Sequence, residues 1–97
     1  MRKITWDKQA VIQLSKAIGF IRQDSPQNAD NVKREILEKI EDLRKTPEKY
    51  SLDKYKKNNS GNYRAFELHH YRVSYLVKDE EIIIAQIRHT SMKPKDY

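Results

Sequence analysis

The stretch YRAFELHHYRVSYLVKDEEIIIAQIRH, Tyr63 to His89, decides the fold, because apolar and polar residues alternate along it. Alternation of period two sends successive side chains to opposite faces of a strand. Tyr63 to Leu68 reads as one strand, Tyr71 to Val77 as a second and Ile82 to Arg88 as a third. His69-His70 forms the first bend and Lys78 to Glu81 the second. The third strand, with Ile82, Ile83, Ile84 and Ile87, is apolar on both faces, as a central covered strand is. A three-residue turn in the last hairpin sets Arg72 opposite Arg88 and Ser74 opposite Gln86. It also gathers Val73, Tyr75 and Val77 with Ile83, Ala85 and Ile87 on a covered face, leaving both arginines outside.

Upstream the period changes. Arg2 to Trp6 alternates and reads as a short strand, with Asp7 placed to cap a helix. Ala10, Val11, Leu14, Ala17, Ile18 and Ile21 recur at helical spacing, giving a helix of about 15 residues that ends near Arg22-Gln23. Asp24-Ser25-Pro26 restarts the chain: Ser25 caps, and Pro26 fits the first helical position. Ala29, Val32, Ile36, Ile40 and Leu43 form the second apolar stripe, which Thr46-Pro47 ends. Residues 47–62, rich in Asn, Ser and Lys, read as a long loop of the kind that often carries function. The fold class is α+β, in the order β-α-α-β-β-β. A helical hairpin packs on one face of a small, largely antiparallel sheet.

Composition fits one domain and excludes several functions. The chain has 97 residues, with 20 Lys and Arg against 14 Asp and Glu, a formal charge of +6. Without cysteine there is no disulfide framework, thiolate zinc site or cysteine nucleophile. No spacing of His, Asp and Glu resembles a metal site, and no glycine-rich loop cradles phosphate, so neither metal nor cofactor is expected. No apolar run reaches membrane-span length, and the reading is a soluble, cytoplasmic protein with no membrane partner. Both halves carry +3, so the charge is not a tail. The surplus peaks between Lys54 and Arg72, where five basic residues face only Glu67. Such an excess favours anionic partners.

Arg72 and Arg88 on the outer sheet face, joined by Arg64, would form an anion-binding surface, since the guanidinium fork donates two parallel hydrogen bonds to a phosphate. The plain alternative is a solvated face, or pairing with Glu67. His89, just past the central strand, suits acid–base work near neutral pH, whereas His69 and His70 read as a polar bend. Tyr97 reaches the site only if the tail folds back. Lys54-Tyr55-Lys56-Lys57 is a basic-aromatic run that suits RNA, with Tyr55 stacking on a base.

These residues in this order resemble the RelE/ParE superfamily of type II toxin–antitoxin toxins. The resemblance rests on Ile4-Thr5-Trp6, the helix through Ala10, Leu14, Ile18 and Ile21, and Asp24-Ser25-Pro26. It continues through Pro47, Tyr63-Arg64-Ala65-Phe66, Tyr71-Arg72-Val73-Ser74-Tyr75 and Ile84…Ile87-Arg88-His89. It implies a single toxin domain over residues 1–97, with 89–97 as a flexible tail, and a role in growth arrest or plasmid stabilisation. It also implies an acidic antitoxin that wraps the toxin. RelE-like members cleave mRNA on the ribosome, which would make Arg64, Arg72, Arg88, His89 and Tyr97 a metal-independent endoribonuclease site and Lys54 to Lys57 its RNA contacts. ParE-like members instead inhibit DNA gyrase without catalysis, and the Ser-Pro junction between the helices is ParE-like. Where nuclease members carry a further Arg or His–Tyr group after the last strand, this chain has Thr90 to Met92. Cleavage is the first expectation, gyrase inhibition the second, and a non-toxic nucleic-acid-binding domain the third.

Overall fold

Two cap residues set the helical hairpin in the computed structural model, which describes residues 1–93, 96 and 97. The Asp7 side chain accepts from the Gln9 N–H and starts α1 (Lys8–Asp24). Ser25 alone joins α1 to α2 (Pro26–Asp42): its N–H donates to the Ile21 carbonyl while its hydroxyl accepts from the Asn28 N–H. One residue thus closes one helix and opens the next, with Pro26 in the first turn where no N–H is needed.

The strands are β1 (Lys3–Trp6), β2 (Tyr63–Leu68), β3 (Tyr71–Val77) and β4 (Glu81–His89), in the sheet order β1-β4-β3-β2. The antiparallel pairs are β2 with β3 and β3 with β4, while β1 runs parallel to β4. The expected α+β architecture is the observed one, and the isoleucine-rich strand is central. Among the described residues no helix is long and apolar enough to cross a membrane. Pro94 and Lys95, within the tail expected to be flexible, lie outside the described residues.

The last hairpin corrects the expected register. Lys78 donates to the Glu81 carbonyl, so the turn is tight around Asp79-Glu80 rather than three residues long. Val77 therefore faces Ile82, and Tyr75 faces Ile84. A bulge between Ser74 and Tyr75 then leaves Ala85 unpaired and restores Ser74 opposite Gln86 and Arg72 opposite Arg88. The extra residue flips the face. Ile82 and Ile84 before the bulge and Ile87 after it all reach the helical side and are buried there, where Ile83 and Ala85 had been expected. Three consecutive isoleucines fit either register, which is why the alternation alone could not place the bulge.

Beyond Trp6, β1 no longer covers β4, and α1 takes over. Gln9 Nε2 donates to the Ala85 carbonyl at 3.2 Å, and Gln13 Oε1 accepts from the Ile87 N–H at 2.7 Å. Two glutamine side chains thereby satisfy backbone groups that a longer strand would have bonded.

The segment after α2 is tied to the sheet more closely than an open loop. Tyr75, fully buried, donates its hydroxyl to the Pro47 carbonyl at 2.8 Å, and burial pushes that hydroxyl's pKa up to about 12. Asp53 N–H donates to the Tyr63 carbonyl and Ala65 N–H to that of Ser51, with Leu52 bridging Arg64. The Asn59 side chain accepts from the Gly61 and Tyr63 N–H groups and donates back to Tyr63. Gly61 sits at φ 106, open to glycine and strained for other residues.

The β2–β3 turn stores strain. His69 and His70 have φ of 53 and 66, the left-handed region that two-residue hairpin turns require and that Asn-Gly fills best. His69 is held by Glu35 at 3.1 Å, but His70 is exposed. Replacing His70 by glycine should raise the unfolding free energy by about 0.5 kcal/mol, the relieved left-handed cost outweighing the extra unfolded-state entropy. Urea denaturation of the two proteins checks this.

Candidate functional site

A buried carboxylate organises the outer face of the sheet. The Asp53 side chain has no exposed surface, and its Oδ1 accepts from Arg72 Nη2 at 2.9 Å and from the Tyr55 N–H at 3.1 Å. Its Oδ2 accepts from the Tyr97 hydroxyl at 2.5 Å. Arg72 uses its other terminal nitrogen on Glu67, its cross-strand neighbour, at 3.0 Å. The Tyr55 ring lies over this guanidinium, with its centroid 5.0 Å from Cζ.

Tyr97 completes the node, because the tail folds back. Its N–H donates to the Tyr55 carbonyl, and its backbone oxygen accepts from the Lys57 N–H and from Lys56 Nζ. The ring meets Tyr63 edge-on at 5.7 Å, with the Lys56 ammonium 5.4 Å from the Tyr97 ring and 4.9 Å from that of Tyr63. Lys54 and Lys57 remain exposed. The basic-aromatic run is therefore divided: Tyr55 and Lys56 are built into the site, while its two outer lysines face solvent.

Protonation follows from these contacts. Burial pushes the Asp53 carboxyl up, but hydrogen bonds from Tyr97, Arg72, the Tyr55 backbone and Ser74 outweigh it and hold the pKa below the ordinary 3.8. Burial disfavours the charged form of Arg72, and the Asp53 and Glu67 carboxylates more than reverse that. Tyr97 is pushed well above the usual phenol range, by burial first and by the Asp53 carboxylate second. The node thus holds an ionised acid, an ionised arginine and a protonated phenol, all facing one another.

Arg88 lies opposite Arg72 in the register and lines the same cavity, of about 60 Å³, with His89 and Met92. Asp53 and Glu67 balance Arg72 and Arg88 in its lining. That volume takes a few water molecules. Among the described residues Arg88 has no carboxylate partner. His89 Nδ1 accepts from the Ser91 N–H at 3.0 Å.

Arg64 stands apart from the arginines with which it had been grouped. It faces Tyr75 in the register, so it projects to the helical side, where Nη1 donates to the Tyr50 carbonyl at 2.6 Å. The structure thus brings together Arg72, Arg88, His89, Tyr97 and Tyr55, and not Arg64. Asp53 is the residue that the sequence reading missed. Its one signal is being the sole acid between Glu48 and Glu67, within a basic stretch.

Comparison with known proteins follows the same lines. Residues 4–94 match the family described as the ParE toxin of the type II toxin–antitoxin system parDE. The chain belongs to the ParE toxin family. A search of curated proteins finds no match to it. Among solved structures, the chromosomal ParDE toxin–antitoxin system from P. aeruginosa superposes with a TM-score of 0.72 at 18% identity, covering 94% of this chain and 98% of that one. The YoeB dimer from Staphylococcus aureus gives 0.57 at 21% identity, covering 91% and 95%. The solution structure of HP0894 from Helicobacter pylori gives 0.53 at 24%, covering 94% and 97%. These likenesses show a shared fold. The toxin is therefore one half of a type II pair, and its partner is a cognate antitoxin.

Two substitutions probe the node. Asp53→Asn strips a buried arginine of its counter-charge and should cost about 3 kcal/mol, whereas Tyr97→Phe removes one hydrogen bond and should cost about 1 kcal/mol. The pH dependence has a definite sign. Asp53, with its folded pKa lowered, stabilises the fold above the ordinary carboxylate value and loses that contribution as pH falls through the folded one. Tyr97, with its folded pKa raised, contributes fully below about pH 10 and progressively less above it. Urea titrations across pH should therefore show the gap between the wild type and Asp53→Asn closing below pH 4, and that for Tyr97→Phe narrowing above pH 10.

Proposed function

We propose that this toxin arrests growth by inhibiting DNA gyrase, without catalysing RNA cleavage. The observation that carries this reading is the state of Arg72. Both of its terminal nitrogens are held by carboxylates, one of them buried. An arginine that is to stabilise a developing phosphorane must offer its donors to the substrate at the moment of reaction. Here phosphate would have to displace Asp53 and Glu67 and leave the Asp53 charge buried without its counter-charge, a cost of several kcal/mol. The ParE family match over residues 4–94 supports the same choice. On this reading the helical hairpin and the tail make the contacts with gyrase, and the Asp53 node keeps the tail in place.

Ribosome-dependent mRNA cleavage is the second reading, favoured by one pairing of residues. Among the described residues Arg88 has no carboxylate partner, and the His89 beside it turns its Nδ1 to Ser91 and keeps Nε2 free. Exposed Lys54 and Lys57 would hold the RNA in that case.

The two readings separate in parallel assays with purified toxin. Gyrase inhibition predicts gyrase-dependent cleaved plasmid with the wild type, changed less than about twofold by His89→Ala, since no proton transfer is involved. It also predicts intact mRNA on translating ribosomes. Cuts in the ribosomal A site that disappear with Arg88→Ala, together with unaffected gyrase, would instead establish the nuclease.

A further inference from the structure

The segment that follows α2 gathers cations around one tyrosine. Its backbone is pinned at two points: the Pro47 carbonyl accepts from the Tyr75 hydroxyl, and the Tyr50 carbonyl accepts from Arg64 Nη1. From this fixed base Lys49 reaches over the Tyr50 ring, its ammonium 5.5 Å from the centroid, and Lys39 of α2 arrives over the same ring at 5.7 Å. The Phe66 ring meets it at 5.1 Å. Lys49 also joins Arg2 and Lys45 in lining an open cleft of about 590 Å³ beside Pro47, with Glu48 the one acid in that lining. Arg2 is oriented from two directions. Its Nε donates to the Lys78 carbonyl at 2.8 Å, and its own carbonyl accepts from Arg44 Nη1 at 3.0 Å. Among the described residues, none of Arg2, Lys39, Lys45, Lys49 and Arg64 has a carboxylate within 4.0 Å.

Positioned cations without counter-charges create a local field that an anion can satisfy. Several of them on one surface suit a ligand with repeated charges, and the guanidinium fork of Arg2 suits phosphate oxygens. An unpaired base needs a free aromatic face on which to stack, but the Tyr50 ring is already engaged by Phe66 and two ammonium groups. An acidic protein segment draws much of its affinity from apolar anchors in pockets, and the apolar residue lining this cleft, Pro47, is itself buried. The surface is thus equipped to read a charged backbone and no bases, which is what holding a duplex of any sequence requires.

We propose that Arg2, Lys39, Lys45 and Lys49 form a site for the phosphate backbone of duplex DNA. Arg64, bonded to the Tyr50 carbonyl, adds to their potential. The proposal deepens the gyrase reading, because gyrase acts on duplex DNA and a toxin with this surface touches the DNA as well as the enzyme. It rests on that reading for the role of the contact, while the contact itself is measured without gyrase.

The probe is a fluorescein-labelled duplex of about 30 base pairs, titrated with purified toxin and followed by anisotropy between about 50 and 200 mM potassium chloride. Four phosphate contacts predict a slope of about −3.6 for log affinity against log salt. Lys45→Gln and Lys49→Gln should each flatten that slope by about 0.9 and weaken binding about eightfold near 0.1 M salt. Melting temperatures should not change, since both side chains are exposed. Lys16→Gln removes the same unit of charge from α1, beside His89 at the far end of β4, and should bind as the wild type does. A slope that Lys16→Gln flattens as much as Lys45→Gln does assigns binding to net charge and overturns the site. No duplex binding in the lowest salt overturns it as well, and so does a single-stranded RNA of equal length that binds more tightly than the duplex. Purified gyrase with plasmid separates the contact from the reading it deepens. Cleaved plasmid without any duplex binding overturns the DNA contact and leaves gyrase inhibition standing. Duplex binding that follows the predicted slopes, with gyrase unaffected, establishes the contact and overturns gyrase inhibition.

Discussion

Burying a carboxylate is costly unless every oxygen finds a donor, and Asp53 meets that condition with donors from three separate parts of the chain. Arg72 comes from the middle of the sheet, Tyr97 from the tail and the Tyr55 N–H from the long loop. Arg72's strand is anchored in the core through Val73 and Tyr75, but neither Tyr55 nor Tyr97 belongs to that core. The charge on Asp53 makes their positions mutually dependent, because moving any one of them leaves a buried group short of a partner. A tail and a loop that composition marks as mobile become parts of one assembly. The small cavity left among them is the space beside a satisfied ion pair.

The order of elements was legible because it rests on periodicity. Stripes at three and four residues from Ala10 to Leu43, and alternation from Tyr63 onward, admit few arrangements of a chain this short. Ser25-Pro26 could be read as a junction from cap chemistry alone. The bulge at Ala85 escaped because Ile82-Ile83-Ile84 offers an apolar side chain whichever face is covered. The place of Arg64 escaped for a related reason. Its face depends on the bend at His69-His70, which is set by left-handed backbone at residues that carry no glycine signal.

The site was half legible. Arg72 and Arg88 on one face followed from the register, and their charge pointed to anions. Asp53 overturns that implication for Arg72, and nothing local announces it: it sits 19 residues from Arg72 and 44 from Tyr97. Net positive charge describes the sum over the surface, whereas a partner meets particular groups. Here the most prominent arginine is spent internally, while among the described residues Arg88 and the outer lysines of the loop are without a carboxylate partner.

The parallel pairing of β1 with β4 bears on how the molecule comes into being. Lys3 to Trp6 find their sheet partners in Glu81 to Ile84, 78 residues further along. The helical hairpin, built from neighbours in sequence, can form early, while the sheet must wait for that long-range closure.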